Sequence, residues 1–206
     1  MKRSRRRQWS LSNVLADGDS QHSARPETAR VFFALWLPGE VAQRLVAVAD
    51  DYAKHAGGRV ARCESVHLTL AFLGAVATER VPDLQRVAGI VRAAAFDLTL
   101  DRFGVWPHNR LFWAGCTATP PALADLSSSL IRELQRAGFA VADARRRFVP
   151  HVTLVRKVAM FGSALPAGEP RRWHCDRFVL LRSQWSAAGS VYRVLGEFPL
   201  AETFTP

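Results

Sequence analysis

The chain is expected to adopt an α+β fold, and three observations lead there. Apolar patterns of strand length and helix length alternate loosely along residues 30–200. Several strand patterns are close neighbours separated only by turn signals, which favours antiparallel pairing. One short motif, His-x-Thr-Leu, occurs twice, once in each half and each time inside a strand pattern.

The elements follow in order. Val31 to Leu37 is a continuous apolar run of strand length, closed by Pro38-Gly39. Glu40 to His55 carries Val41, Leu45, Val48 and Ala49 at helical spacing and ends at Gly57-Gly58. A strand is expected over Val66–Leu73, stopped by Gly74, and a helix over Val81–Val91 with Leu84, Val87, Ala88 and Val91 on one face. Phe96–Phe103 and Leu111–Cys116 read as strands around the turn signal Trp106-Pro107-His108-Asn109. Pro121–Ala137 is a helix with Leu123, Leu126, Leu130 and Leu134 in register and Gly138 as its C-cap. His151–Val158 is a strand, residues 159–172 are a Gly/Pro-bearing loop, and strands Phe178–Trp185 and Val191–Phe198 are joined through Ala187-Ala188-Gly189.

Residues 1–29 differ: a basic cluster (Lys2, Arg3, Arg5, Arg6, Arg7) precedes a polar stretch with little apolar periodicity. It is expected to be a disordered extension, an upstream start or an RNA-attracting arm. No apolar segment follows the cluster as a secretory signal requires, and no run approaches the roughly 18 apolar residues of a membrane span. Cys63, Cys116 and Cys175 are too scattered for a disulfide framework or a cysteine zinc site. A cytoplasmic monomer is the expectation. The formal charge of +10 favours polyanionic partners.

The informative feature is the pair Val66-His67-Leu68-Thr69-Leu70 and Pro150-His151-Val152-Thr153-Leu154. Shuffling this composition gives about 0.03 copies of His-x-Thr-Leu, so two copies demand an explanation. Side chains of a strand alternate faces, so each motif presents an imidazole and a hydroxyl on one side and buries aliphatics on the other. If the two halves pack with approximate two-fold symmetry, both pairs meet at one cleft. Two imidazoles suit in-line phosphoryl hydrolysis: one deprotonates the attacking water and the other protonates the departing oxygen. The hydroxyls donate to the non-bridging oxygens. Glu64 is the only acid near either motif, whereas a metal-dependent phosphodiesterase would want clustered carboxylates. No metal or other cofactor is therefore expected.

With these motifs stand Arg30-Val31-Phe32-Phe33-Ala34, Leu70-Ala71-Phe72-Leu73-Gly74, Phe103-Gly104, Arg110 to Gly115, Phe148-Val149-Pro150, Val155-Arg156 and Gly196 to Leu200. In that order and spacing, the chain resembles the 2H phosphoesterase superfamily, and within it the RNA 2′,3′-cyclic phosphodiesterases, also called 2′-5′ RNA ligase-like proteins. The resemblance covers residues 30–200. It implies a bilobal fold with pseudo-symmetric lobes facing a central cleft, helices outside. It also implies hydrolysis of RNA 2′,3′-cyclic phosphate ends to 2′-phosphates, and sometimes reversible 2′-5′ joining. Carried over, His67 is the proton donor and His151 the acceptor, although the symmetric chemistry allows the exchange. Thr69 and Thr153 bind phosphate.

Arg156, five residues after the second histidine, matches a family arginine. Phe72 holds that offset in the first motif and is either a base-stacking or a core residue. Strict alternation puts Arg156 opposite His151, so a twist, bulge or strand end is required. Val60-Ala61-Arg62-Cys63 replaces the Trp-Val-Pro-like segment of the family. Small cyclic nucleotides are the alternative substrates. A non-catalytic RNA-binding module using Arg145-Arg146-Arg147 and the basic tail is the alternative of another class. His55, His108 and His174 have no partner motif, and the tryptophans are expected in core or cleft-wall positions.

Overall fold

The structure is a computed structural model that describes residues 27–202 except 143, 163, 168, 187 and 188. The expected extension over residues 1–29 lies outside the described residues but for its last three. The first strand already starts at Thr28.

Ten strands and three α-helices follow in chain order: β1 Thr28–Trp36, α1 Gly39–Ala56, β2 Arg59–Val60, β3 His67–Ala77, α2 Val81–Ile90, β4 Phe96–Leu100, β5 Arg102–Trp106, β6 Leu111–Gly115, α3 Pro121–Arg136, β7 His151–Arg156, β8 Arg171–Cys175, β9 Arg177–Ser186 and β10 Gly189–Pro199. Eight strands form one antiparallel sheet in the order β10-β9-β1-β3-β7-β6-β5, with β2 added on β7. The α+β class holds. The sheet does not follow the two sequence halves: β9 and β10 flank β1 and β3 on one side, while β2 crosses to β7, β6 and β5 on the other.

Three expectations are corrected. The pattern Phe96–Phe103 splits at Asp101, because β4 leaves the main sheet and pairs with β8. Residues 171–175, partly assigned to a loop, form that partner strand and bury Trp173 and Cys175. Gly74 does not end β3. It takes φ +71° where the register with β1 shifts, and the strand runs on to Ala77. A conformation open to glycine thus reads as a stop when it is a bend. The turn at Ala187-Ala188 lies outside the described residues.

The core lies behind the sheet. In α1 the buried stripe is Ala42, Leu45, Ala49, Tyr52 and Ala56, and Tyr52 stacks on Phe112 at 4.0 Å. In α3, Leu123, Leu126, Leu130 and Leu134 are fully buried, each a side chain worth about 1.5–3 kcal/mol on burial. Both motif strands turn Leu68, Leu70 and Ala71, or Val152, Leu154 and Val155, into this core.

β3 and β7 pair at Leu68–Val152, where the two arms join. Beyond it each strand carries a register shift at the same offset. Ala71 faces Phe33 while Thr69 faces Ala34, so Leu70 is the extra residue; Val155 faces Phe112 while Thr153 faces Trp113, so Leu154 is the extra residue. A bulge frees a carbonyl from the ladder, and a buried carbonyl needs a donor. The Leu154 oxygen accepts from the Ala61 amide at 2.7 Å, and the Leu70 oxygen accepts from the Ser127 hydroxyl at 3.1 Å. Ser127 is the one polar residue among the fully buried positions described.

Ser127→Ala should therefore lower stability by about 1–3 kcal/mol, the cost of a buried acceptor left without its donor. Urea unfolding measures this, and an unmoved midpoint would remove Ser127 from that role.

Candidate active site

The Leu68–Val152 pair sets the geometry. Continued by one residue in each direction, the antiparallel register places His67 across from Thr153 and Thr69 across from His151. A pseudo-two-fold axis thus passes through the pair. The two imidazoles are diagonal neighbours on one face, and such neighbours stand about 7–8 Å apart, their Cβ atoms somewhat closer. That span admits one phosphate between two rings. A charged His151 disfavours protonation of His67, for it is among the groups lowering the His67 pKa.

The bulges bring the fifth residue after each histidine onto the same face. Without them Phe72 and Arg156 would point into the core; with them both line the hollow in front of the sheet. The hollow has two overlapping ends of about 190 and 200 Å³, which share Arg59, His67, Arg156, Ser190 and Tyr192. Thr153, Arg62 and Ser65 line one end; Thr69, Phe72, Arg30 and Trp185 line the other. His151 stands apart from that lining, edge-on against Trp106 at 4.5 Å. Arg30 sits over the Phe72 ring at 4.7 Å. Among the described residues, four arginines and no carboxylate line the two ends.

Both histidines are held alike. His67 Nδ1 lies 2.7 Å from the Ser65 carbonyl, and His151 Nδ1 lies 2.9 Å from the Val149 carbonyl. A carbonyl only accepts, so each Nδ1 carries the proton and each Nε2 is left for the reaction. Their surroundings differ. His67 is enclosed by Phe32 at 4.8 Å, Tyr192 at 5.1 Å and Trp36 at 6.2 Å. Burial pushes its pKa from 6.5 down to about 4, opposed by the Ser65 carbonyl and assisted by Arg156. Burial also lowers the His151 pKa, again with help from Arg156.

Other expectations fall elsewhere. Arg145 and Arg147 are exposed in the loop before β7, and Arg147 lines a separate hollow with Arg102, Trp106 and Trp113. Trp36 and Trp106 wall the histidines, Trp113 and Trp173 are buried, and Trp185 is 75% exposed at the rim. His174 pairs with Asp97 at 3.1 Å on the surface. Arg59, Ser190 and Tyr192 were not expected in the site. Their strands carry no motif, and only the sheet order reveals that β2 and β10 border it. Among the described residues, no three His, Cys, Asp or Glu side chains cluster as metal ligands, and no helix is long and apolar enough to cross a membrane.

Fold and site together define a phosphoesterase built on paired His-x-Thr strands, and comparison with known proteins makes the class specific. A family model described as LigT like Phosphoesterase matches residues 35–113. An Escherichia coli protein named RNA 2′,3′-cyclic phosphodiesterase is 31% identical over 85% of this chain and 99% of its own length. A Thermus thermophilus protein of the same name is 30% identical over 83% of this chain and 90% of its own. The crystal structure of E. coli LigT complexed with 3′-AMP superposes with a TM-score of 0.77 over 85% of this chain and 99% of that one, at 31% identity. The chain belongs to the LigT-like phosphoesterases of the 2H superfamily.

In the ligand-free protein, His67 should titrate near 4 and His151 below 6.5, followed by NMR of the imidazole protons. Inorganic phosphate should raise both values, because an anion favours the charged ring. A His67 titrating at or above 6.5 would contradict the enclosure described.

Proposed function

We propose that the chain is an RNA 2′,3′-cyclic phosphodiesterase that opens a terminal cyclic phosphate to a 2′-phosphate by acid–base catalysis between His67 and His151. The carrying observation is the pair of equivalent histidines, each fixed through Nδ1 and free at Nε2, set diagonally across the Leu68–Val152 junction. The relatives' printed name supports the substrate class.

In the proposed step, neutral His151 takes a proton from water through Nε2 as the water oxygen attacks phosphorus. The P–O3′ bond breaks, and protonated His67 gives its Nε2 proton to the departing 3′ oxygen. The products are a 3′-hydroxyl and a 2′-phosphate, and a second proton exchange with solvent resets the rings. Thr69 and Thr153 donate to the non-bridging oxygens, and Arg156 supplies the positive charge. Phe72 offers a face for the terminal base, stiffened by Arg30 above it. Both proton transfers come from side chains, so the scheme calls for no Lewis acid.

The sign of the pH dependence follows. His151 must be neutral, which gives an acid limb, and His67 must be charged, which gives an alkaline limb. In the free protein both pKa values lie below 6.5. The bell in kcat/KM is therefore centred on the acid side of 6.5, below the near-neutral limbs of unperturbed imidazoles, and the bell in kcat lies higher because bound phosphate raises both pKa values.

On an oligoribonucleotide ending in a 2′,3′-cyclic phosphate, His67→Ala and His151→Ala should each lower kcat by about 10²–10⁴, and excess chelator should leave activity intact. Wild-type turnover by either variant would end the two-histidine scheme. RNA binding that survives both substitutions with no turnover by the wild type would favour the binding-module alternative.

A further inference from the structure

From the cationic end of the hollow, we infer a second phosphate subsite, formed by Arg59 and Arg62, for the phosphate on the 5′ side of the nucleotide that carries the cyclic end. The inference rests on the proposed activity. The reaction itself uses one phosphate, held by the two Thr hydroxyls and Arg156, yet Arg59 and Arg62 also line the end of the hollow that holds Thr153. Among the described residues no acid lines that end, where Ser65, Thr153, Ser190 and Tyr192 supply hydroxyls. Arg59 has no ion-pair or hydrogen-bond partner among the described residues.

The backbone is arranged to deliver these cations. Gly58 has φ +105°, and a Cβ there would stand 2.7 Å from Val155 Cγ1 and 2.8 Å from the Arg156 oxygen. Glycine lets β2 lie against β7, with Arg59 opposite Arg156 and Val60 opposite Val155. The Ala61 amide then ties the segment to the Leu154 bulge. Arg62 is aimed across the hollow by a hydrogen bond from Nη2 to the Ser190 carbonyl at 3.3 Å. Its partner Glu64, at 3.2 Å, is largely exposed, so that ion pair yields readily to a phosphate. Thr153 lies at this end, the aromatic face of Phe72 at the other, and Arg156 lines both. A nucleoside held with its base on Phe72 and its cyclic phosphate at the junction leaves one further phosphate to be placed, with Arg59 unpaired among the described residues and Arg62 held by the exposed Glu64 and a backbone carbonyl.

The same chemistry fits a terminal 5′-phosphomonoester or an internal phosphodiester, and the experiment separates them. Three substrates are compared: adenosine 2′,3′-cyclic phosphate with a 5′-hydroxyl, the same nucleotide with a 5′-phosphate, and the dinucleotide ApA ending in a cyclic phosphate. With the full-length wild type, kcat/KM should rise on the order of tenfold or more from the first to whichever of the others fits, the range of a charge-assisted contact. Added salt should shrink the gain. In Arg59→Ala/Arg62→Ala the ratio should fall to near one, while Arg59→Lys/Arg62→Lys keeps most of it. A rise with the monoester alone assigns a terminal phosphate, and a rise with the dinucleotide assigns the chain. Equal kcat/KM for all three in the wild type, or an unchanged ratio in the alanine variant, would overturn the subsite and leave the activity standing. No turnover of any substrate would remove both.

Discussion

One antiparallel contact organises the site: Leu68 against Val152, buried completely, where two strands 84 residues apart meet. An antiparallel pair has local two-fold symmetry about an axis normal to the sheet. Any motif repeated on both strands at equal distance from that axis is duplicated in space. His67 and Thr69 flank Leu68; His151 and Thr153 flank Val152. Symmetric placement of two rings and two hydroxyls therefore needs no designed loop and no long-range positioning by flexible segments. It needs the aliphatic middle residue of each motif to stay in the core, which ties catalytic geometry to hydrophobic burial.

The bulges extend this logic. Alternation alone would waste the residue five positions after each histidine on the core face. An extra residue at Leu70 and at Leu154 reverses the parity and bends the strands, so that the cleft opens where the side chains are needed. Each bulge exposes a carbonyl, and the two are satisfied by different means: a helix hydroxyl in one arm, a backbone amide of the incoming β2 segment in the other. The second solution has a consequence the first lacks, because the amide arrives with Arg59 and Arg62 on either side of it.

Much of this was legible in the sequence because it is local. Periodicity located the three helices, and the repeated His-x-Thr-Leu identified the four central groups. Alternation also showed that Arg156 required an irregular strand, though it could not say where. The extra residue at Leu154 is recognisable only against β6. Strand β8 escaped because residues 171–175 follow a Gly/Pro-bearing stretch and contain two arginines and a histidine in five, a pattern with no continuous apolar signal. Its burial of Trp173 and Cys175 depends on β4 lying beside it. Tyr192 reaches His67 only because β10 and β9 are inserted next to β1, a pairing order that no spacing along the chain encodes.

The two halves are symmetric in backbone and unequal in chemistry, and the neighbouring strands explain why. Trp36 is the β1 neighbour of His67, whereas Gly115 is the β6 neighbour of His151. His67 is closed in by aromatic rings on β1 and β10; His151 has Trp106 on one side and no side chain from its ladder partner. Desolvation therefore bears hardest on His67. Arg156 acts in the same direction on both rings, since positive charge opposes imidazolium formation. An empty site thus holds neutral rings and cannot donate a proton efficiently. A phosphodiester reverses both effects, for its negative charge offsets Arg156 and stabilises a protonated ring at once. In the proposed reaction the substrate supplies the charge that makes its own general acid available, so an uncharged ester placed in the same hollow should bind without being activated.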